Sequence, residues 1–149
     1  MSNVEDPLRT QALLVLGNHP PDAPAVVASL ADWCGHCKRY TESGIFKVAA
    51  KRSPVAFKEC YISFSGADQA PEGSELKARA DAGDAFATVF APAASDGTRE
   101  PIHSYPTIIG FRNVRSTPVL FEGDRDSLEE LLAFAARFEA PPPRRWWLW

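Results

Sequence analysis

In the stretch ADWCGHCKRY, Cys34 and Cys37 stand three positions apart, with Gly35 and His36 between them, Trp33 before and Lys38 after. Thiols at this spacing can hold a metal, close a fixed crosslink, or exchange electrons with another disulfide. A structural zinc site asks for four ligands, from two cysteine pairs or from one pair and two histidines. The other candidates are Cys60, His19, His36 and His103, none of them in a second pair with ligand spacing. Zinc is therefore the main rival rather than the first reading. Haem attachment needs a His directly after the second Cys, and Lys38 stands there. Two unrelated core cysteines fit poorly with a Gly between them in a polar turn.

The elements around the pair give it an environment. Ala25 to Leu30 is an apolar run too short for a helix, which predicts a buried strand ending just before the cysteines. From Cys34 to about Arg52, Tyr40, Ile45, Val48 and Ala49 recur at helical spacing, interrupted by Gly44 and stopped by Pro54. A thiol at the start of such a helix faces unsatisfied N–H groups and the positive end of the helix dipole, which favour thiolate over thiol. A protonated His36 would act in the same direction. On this reading Cys34 is the exposed nucleophile and Cys37, one turn in, closes on it to resolve the product.

The rest of the chain supplies a frame. Pro7 opens a helix running to about Leu16 and closed by Gly17, and 19–24 is a proline-rich loop. Val55 to Ser63 reads as a second strand. Ser74 caps a short helix through Ala82, and AFATVFAP either continues it or forms an extra strand. TIIGFR (107–112) and PVLFEG (118–123) read as a hairpin. Asp126 and Glu129 suggest a capping box before a helix with Leu128, Leu131, Leu132, Ala135 and Phe138 on one face. The order predicts an α/β fold, a central mixed sheet flanked by helices.

Composition sets the outer bounds. The 149 residues suffice for one domain, 45% are hydrophobic and 23% charged, and a net charge of −3 gives no basic footprint for nucleic acid. Three cysteines do not make a disulfide scaffold. The N-terminus lacks the basic start and long apolar core of a secretory signal, and no run of 18 apolar residues occurs, so the expected compartment is the cytoplasm. A permanent crosslink is disfavoured there.

With these residues in view, WCGHCK (33–38) resembles the active site of the thioredoxin superfamily, and specifically the catalytic domains of protein disulfide isomerases. SYPTIIGFR (104–112) is similar to the segment that those proteins place beside the cysteines, with its proline in cis, and FEGDRDSLEELLAF (121–134) resembles their last strand and helix. The resemblance covers about two-thirds of the chain in the family's order. It implies a thioredoxin-like domain over 1–140 acting as a thiol–disulfide oxidoreductase, with no metal or organic cofactor. Cys34 would attack and Cys37 resolve; Trp33, Gly35 and His36 would modulate the site; Tyr105 and Pro106 would offer backbone groups to a bound peptide. The Gly-His pair implies a couple more oxidising than that of ordinary thioredoxins, by up to about 90 mV. Expected partners are thiol- or disulfide-bearing proteins and an enzyme or glutathione that resets the pair. The alternative is a binding or adaptor module with weak redox turnover.

Three departures from the family pattern stand out. The acid expected six residues before the first cysteine is replaced by Ala28, which leaves Lys58 without its usual partner. Water or Asp32 would have to substitute for that acid. Glu42 occupies the place of a helix-kinking proline. Finally, Cys60 and Pro106 lie 46 positions apart (106 − 60), roughly 30 more than the family needs, so 64–104 reads as an insertion before the cis-proline loop that either decorates the surface or shapes the binding face. Cys60 itself reads as a buried small hydrophobe and His103 as a loop residue. The tail PPPRRWWLW (141–149) suggests weak contact with a partner or membrane through Arg144, Arg145, Trp146, Trp147 and Trp149.

Overall fold

The computed structural model describes residues 6–139; the tail at 141–149, with the contacts expected of it, lies outside the described residues. The chain forms a mixed α/β structure in which a four-stranded sheet carries helices on both faces. In chain order the elements are α1 (Pro7–Leu13), β1 (Ala25–Ala31), α2 (Gly35–Ser43), α3 (Ile45–Arg52), β2 (Ala56–Ser63), α4 (Glu75–Val89), β3 (Thr107–Phe111), β4 (Val119–Leu120) and α5 (Leu128–Ala136), with short 3-10 turns at Leu14–Leu16 and Ala67–Gln69. The strand order is β2-β1-β3-β4. β1 runs parallel to β2 and antiparallel to β3, and β3 is antiparallel to β4. Among the described residues no helix is long and apolar enough to cross a membrane.

The central position of β1 explains its composition. All seven of its residues are buried, because helices cover both faces and strands flank both sides. Ala25 and Val27 enter one core with Phe86, Phe90 and Phe111, under α1 and α4. Val26, Ala28 and Leu30 enter the other with Cys37, Phe46, Leu131 and Phe134, under α2, α3 and α5. In the first core Phe86 and Phe90 stack at 4.6 Å and Phe90 meets Phe111 at 5.4 Å. Each of these rings is worth about 1.5–3 kcal/mol when fully buried.

Two glycines shape the elements next to the site. Gly44 adopts the left-handed conformation (φ 75°, ψ 0°) and ends α2 while starting α3, so the interruption expected from the sequence is a true break between two helices. Gly83 lets α4 lie directly on β2. A Cβ there would run into the Tyr61 carbonyl oxygen and come within 2.9 Å of the Ile62 Cα. AFATVF accordingly continues a helix, and no extra strand forms.

Several expectations need correction. Cys34 is the N-cap rather than the first residue of α2. The helix from Pro7 tightens to 3-10 geometry over its last three residues before Gly17. The N-cap of α5 is Ser127, whose hydroxyl accepts from the Glu130 N–H at 3.2 Å, one residue beyond the expected Asp126–Glu129 pair. The Glu130 carboxylate does not complete a capping box, because it accepts from the Asp124 N–H instead. The second hairpin strand is only Val119–Leu120. Its outer side is met by the 64–104 segment, where Ala93 donates to the Pro118 carbonyl and accepts from the Leu120 N–H, both at 2.9 Å.

Candidate functional site

β1 delivers the chain to the cysteine pair at the end of the sheet. The Cys34 N–H donates to the Ala31 carbonyl at 3.2 Å, closing a tight turn, and α2 begins at once. Cys34 has extended backbone and its side chain caps nothing, so its sulfur stands at the open end of the helix. The Cys37 N–H facing that sulfur lowers its pKa below the ordinary 9.0. Partial burial opposes this, while the Cys37 thiol, the His36 N–H and the Arg39 charge assist. Cys37 differs at every point. It is 2% exposed, its sulfur accepts the Ala31 N–H at 3.4 Å, and burial pushes its pKa up to about 11. The spacing of three thus pairs an accessible, acidified thiol with a buried, protonated one.

The second face of the site comes from the loop before β3. The Tyr105–Pro106 peptide bond is cis, and the Cys34 thiol donates to the Tyr105 carbonyl at 3.6 Å. Trp33 is 60% exposed, with its indole N–H donating to the Ser63 hydroxyl at 2.8 Å and its ring edge-on to Tyr105 at 6.2 Å. Burial raises the Tyr105 pKa, with smaller contributions from Asp84 and the thiols, so its phenol stays neutral. Trp33, Cys34 and Tyr105 therefore form one surface of two aromatic rings around a reactive sulfur. Gly35 takes the first position of α2, where a Cβ would make only ordinary contact with the Arg39 guanidinium at 3.5 Å, so nothing around it requires a glycine.

The Arg39 guanidinium donates to the His36 Nδ1 at 2.8 Å. The side-chain charge that helps to lower the Cys34 pKa is that of Arg39. Arg39 and Arg125 are the charged residues that sequence reasoning missed. Arg125, in the loop before α5, is the group whose charge opposes burial at Cys37 together with the Ala31 N–H. It is held over the Tyr40 ring at 5.7 Å, its carbonyl accepts from the Tyr40 hydroxyl at 2.9 Å, and its buried Nε has no hydrogen-bond partner among the described residues. Arg39 sits on α2 itself, five positions beyond Cys34, whereas only tertiary packing brings Arg125 to the thiols.

The remaining candidates lie apart from this surface. Ala28 is fully buried in the same core as Cys37 and brings no carboxylate to it. Lys58 pairs in register with Val27 and carries no ion pair among the described residues. Cys60 is 3% exposed, and burial pushes it up to about 12. His103 is an exposed loop residue bonded to Glu100 at 3.0 Å. No cluster of three or more His, Cys, Asp or Glu side chains able to hold a metal occurs among the described residues. Compared with known proteins, the chain matches no family model and no characterised protein.

Proposed function

We propose that this chain is a thiol–disulfide oxidoreductase of thioredoxin-like fold, closest in type to a protein disulfide isomerase catalytic domain. The observation that carries the reading is the asymmetry of the pair: Cys34 is accessible and acidified at the start of α2, and Cys37 is buried and protonated one turn in. A crosslink that serves only to hold the chain needs no such difference. Exchange does, because attack requires a thiolate that clients can reach, and release requires a second thiol that they cannot. The cis Tyr105–Pro106 bond beside Cys34, and the sheet order with an antiparallel β3–β4 pair followed by α5, support the fold assignment.

The Cys34 thiolate attacks one sulfur of a client disulfide, forms a mixed disulfide, and releases the other client sulfur as a thiolate that takes up a proton. Cys37 then loses its proton and attacks Cys34. The Cys34–Cys37 bond forms as the bond to the client breaks, and two electrons have passed from the pair to the client. The reverse sequence oxidises a client dithiol. Trp33 and Tyr105 provide an apolar, peptide-sized surface on which the client chain lies.

Trapping tests this directly. Cys37→Ser should accumulate mixed disulfides through Cys34 that survive non-reducing electrophoresis and vanish with reductant. Cys34→Ser should trap almost nothing. Equal trapping by both would overturn the assigned roles, and none by either would favour an adaptor without turnover.

A further inference from the structure

Before Cys37 can close on Cys34 it must give up a proton, and its position makes that difficult. It is buried in one core with Ala28 and Leu30, whose side chains are hydrocarbon. On its flank, however, a cleft of about 320 Å³ opens between the end of β1, α2, the end of β2 and α4. Cys37 forms part of its wall, together with Asp32, Lys38, Tyr61 and Arg79. A space of this size admits several waters, and these side chains offer the polar partners that ordered waters require. Phe64, Leu76 and Arg79 complete its lining. All three belong to the 64–104 segment, and Arg79 is held there over the Phe64 ring at 4.8 Å.

We propose that Asp32 is the proton acceptor for Cys37, reached through water in this cleft, and that the 64–104 segment forms part of the cleft's lining. The inference rests on the thiol-exchange reading of the site. Asp32 is the only carboxylate among the residues lining the cleft. Its Oδ1 accepts the Ser65 N–H at 2.7 Å, which fixes the carboxylate at the cleft mouth, and its second oxygen has no hydrogen-bond partner among the described residues. The charged and titratable groups around Cys37 include Cys34 at the start of α2, Arg125 from the loop before α5, Tyr105 from the loop before β3, and Asp32, Lys38, Tyr61 and Arg79 around the cleft. In the resolving step the Cys37 proton passes through water to the Asp32 carboxylate. The Cys37 sulfur then attacks Cys34 of the mixed disulfide, and the bond between Cys34 and the client breaks. The client sulfur leaves with the electron pair and is protonated, with Asp32 able to return the proton.

The test separates attack from resolution. An aromatic disulfide such as dithionitrobenzoate releases one coloured thiol when Cys34 attacks and a second when Cys37 closes, so stopped-flow absorbance reads the two phases in turn. In Asp32→Asn, which keeps an acceptor for the Ser65 N–H, the second phase should slow at least about tenfold relative to the first. The slowed phase should be restored by added acetate, in proportion to its concentration, and should become first order in hydroxide. Leu76→Trp fills the cleft from α4 without touching Asp32, and should slow the same phase. An unchanged second phase in both variants overturns the proposal. So does a slowed phase that acetate does not restore and whose pH profile keeps its shape. Absence of the first phase in the parent chain would instead sink the reading of Cys34 as nucleophile, on which this inference depends.

Discussion

The thiol asymmetry can be measured by alkylation. At pH 7 a thiol of ordinary pKa 9.0 is about 1% ionised, and Cys34 lies above that because its pKa is lowered. Cys37, at about 11, is ionised to about 0.01%. Ionisation alone therefore gives Cys34 at least a hundredfold advantage toward iodoacetamide, and the 2% exposure of Cys37 widens it. Cys60, at about 12 and 3% exposed, should label slowest. The assay is a quenched time course from pH 6 to 10, with each cysteine peptide quantified by mass spectrometry. Cys34 labelling should rise with pH and reach half its plateau below pH 9, while Cys37 labelling rises about tenfold per pH unit to the end of the range. Labelling of Cys37 within tenfold of Cys34 at pH 7 would refute the reasoning, as would a Cys34 midpoint at or above pH 9.

Two further expectations concern stability. Above pH 9 the unfolded chain loses a Cys60 proton that the folded chain keeps up to about 12, so stability should fall as pH rises through that window. Denaturant melts of Cys60→Ala should show a shallower alkaline decline than the parent, and identical slopes would count against burial as the cause. Gly83→Ala forces a methyl group against β2 backbone, and should cost about 1–3 kcal/mol, or roughly 2–4 °C of melting temperature for each kcal/mol. An unaltered melting curve would mean that α4 does not lie where it is described.

The parts legible in the sequence were those set by local chemistry. The run at 25–30 was readable as a buried strand because its apolar character is continuous, which only a strand covered on both faces requires. Ser74 caps α4 as expected, since its hydroxyl reaches the Lys77 N–H at 3.2 Å. What failed depended on distant partners. In GDRDS, Asp124, Asp126 and Ser127 all offer cap oxygens, and only the need to turn Leu131 and Phe134 into the core selects Ser127. The length of α4 was illegible because Ala and Phe at 85–87 are apolar all round, and the fit of Gly83 on β2 is a tertiary fact. The thiol pair was readable, but its electrostatics were not fully so, since Arg125 arrives from 88 residues beyond Cys37 (125 − 37).

The Ala93 contact along β4 has a consequence for how copies of this chain can meet. A border strand with unsatisfied peptide groups is a template onto which another molecule adds, and a sheet open at both borders can polymerise without limit. Here Ala93 uses the Pro118 carbonyl and the Leu120 N–H on one border. β2 is the other. Two copies joined through β2 would each present only a blocked border, so growth by strand pairing ends at a dimer instead of continuing into a fibre.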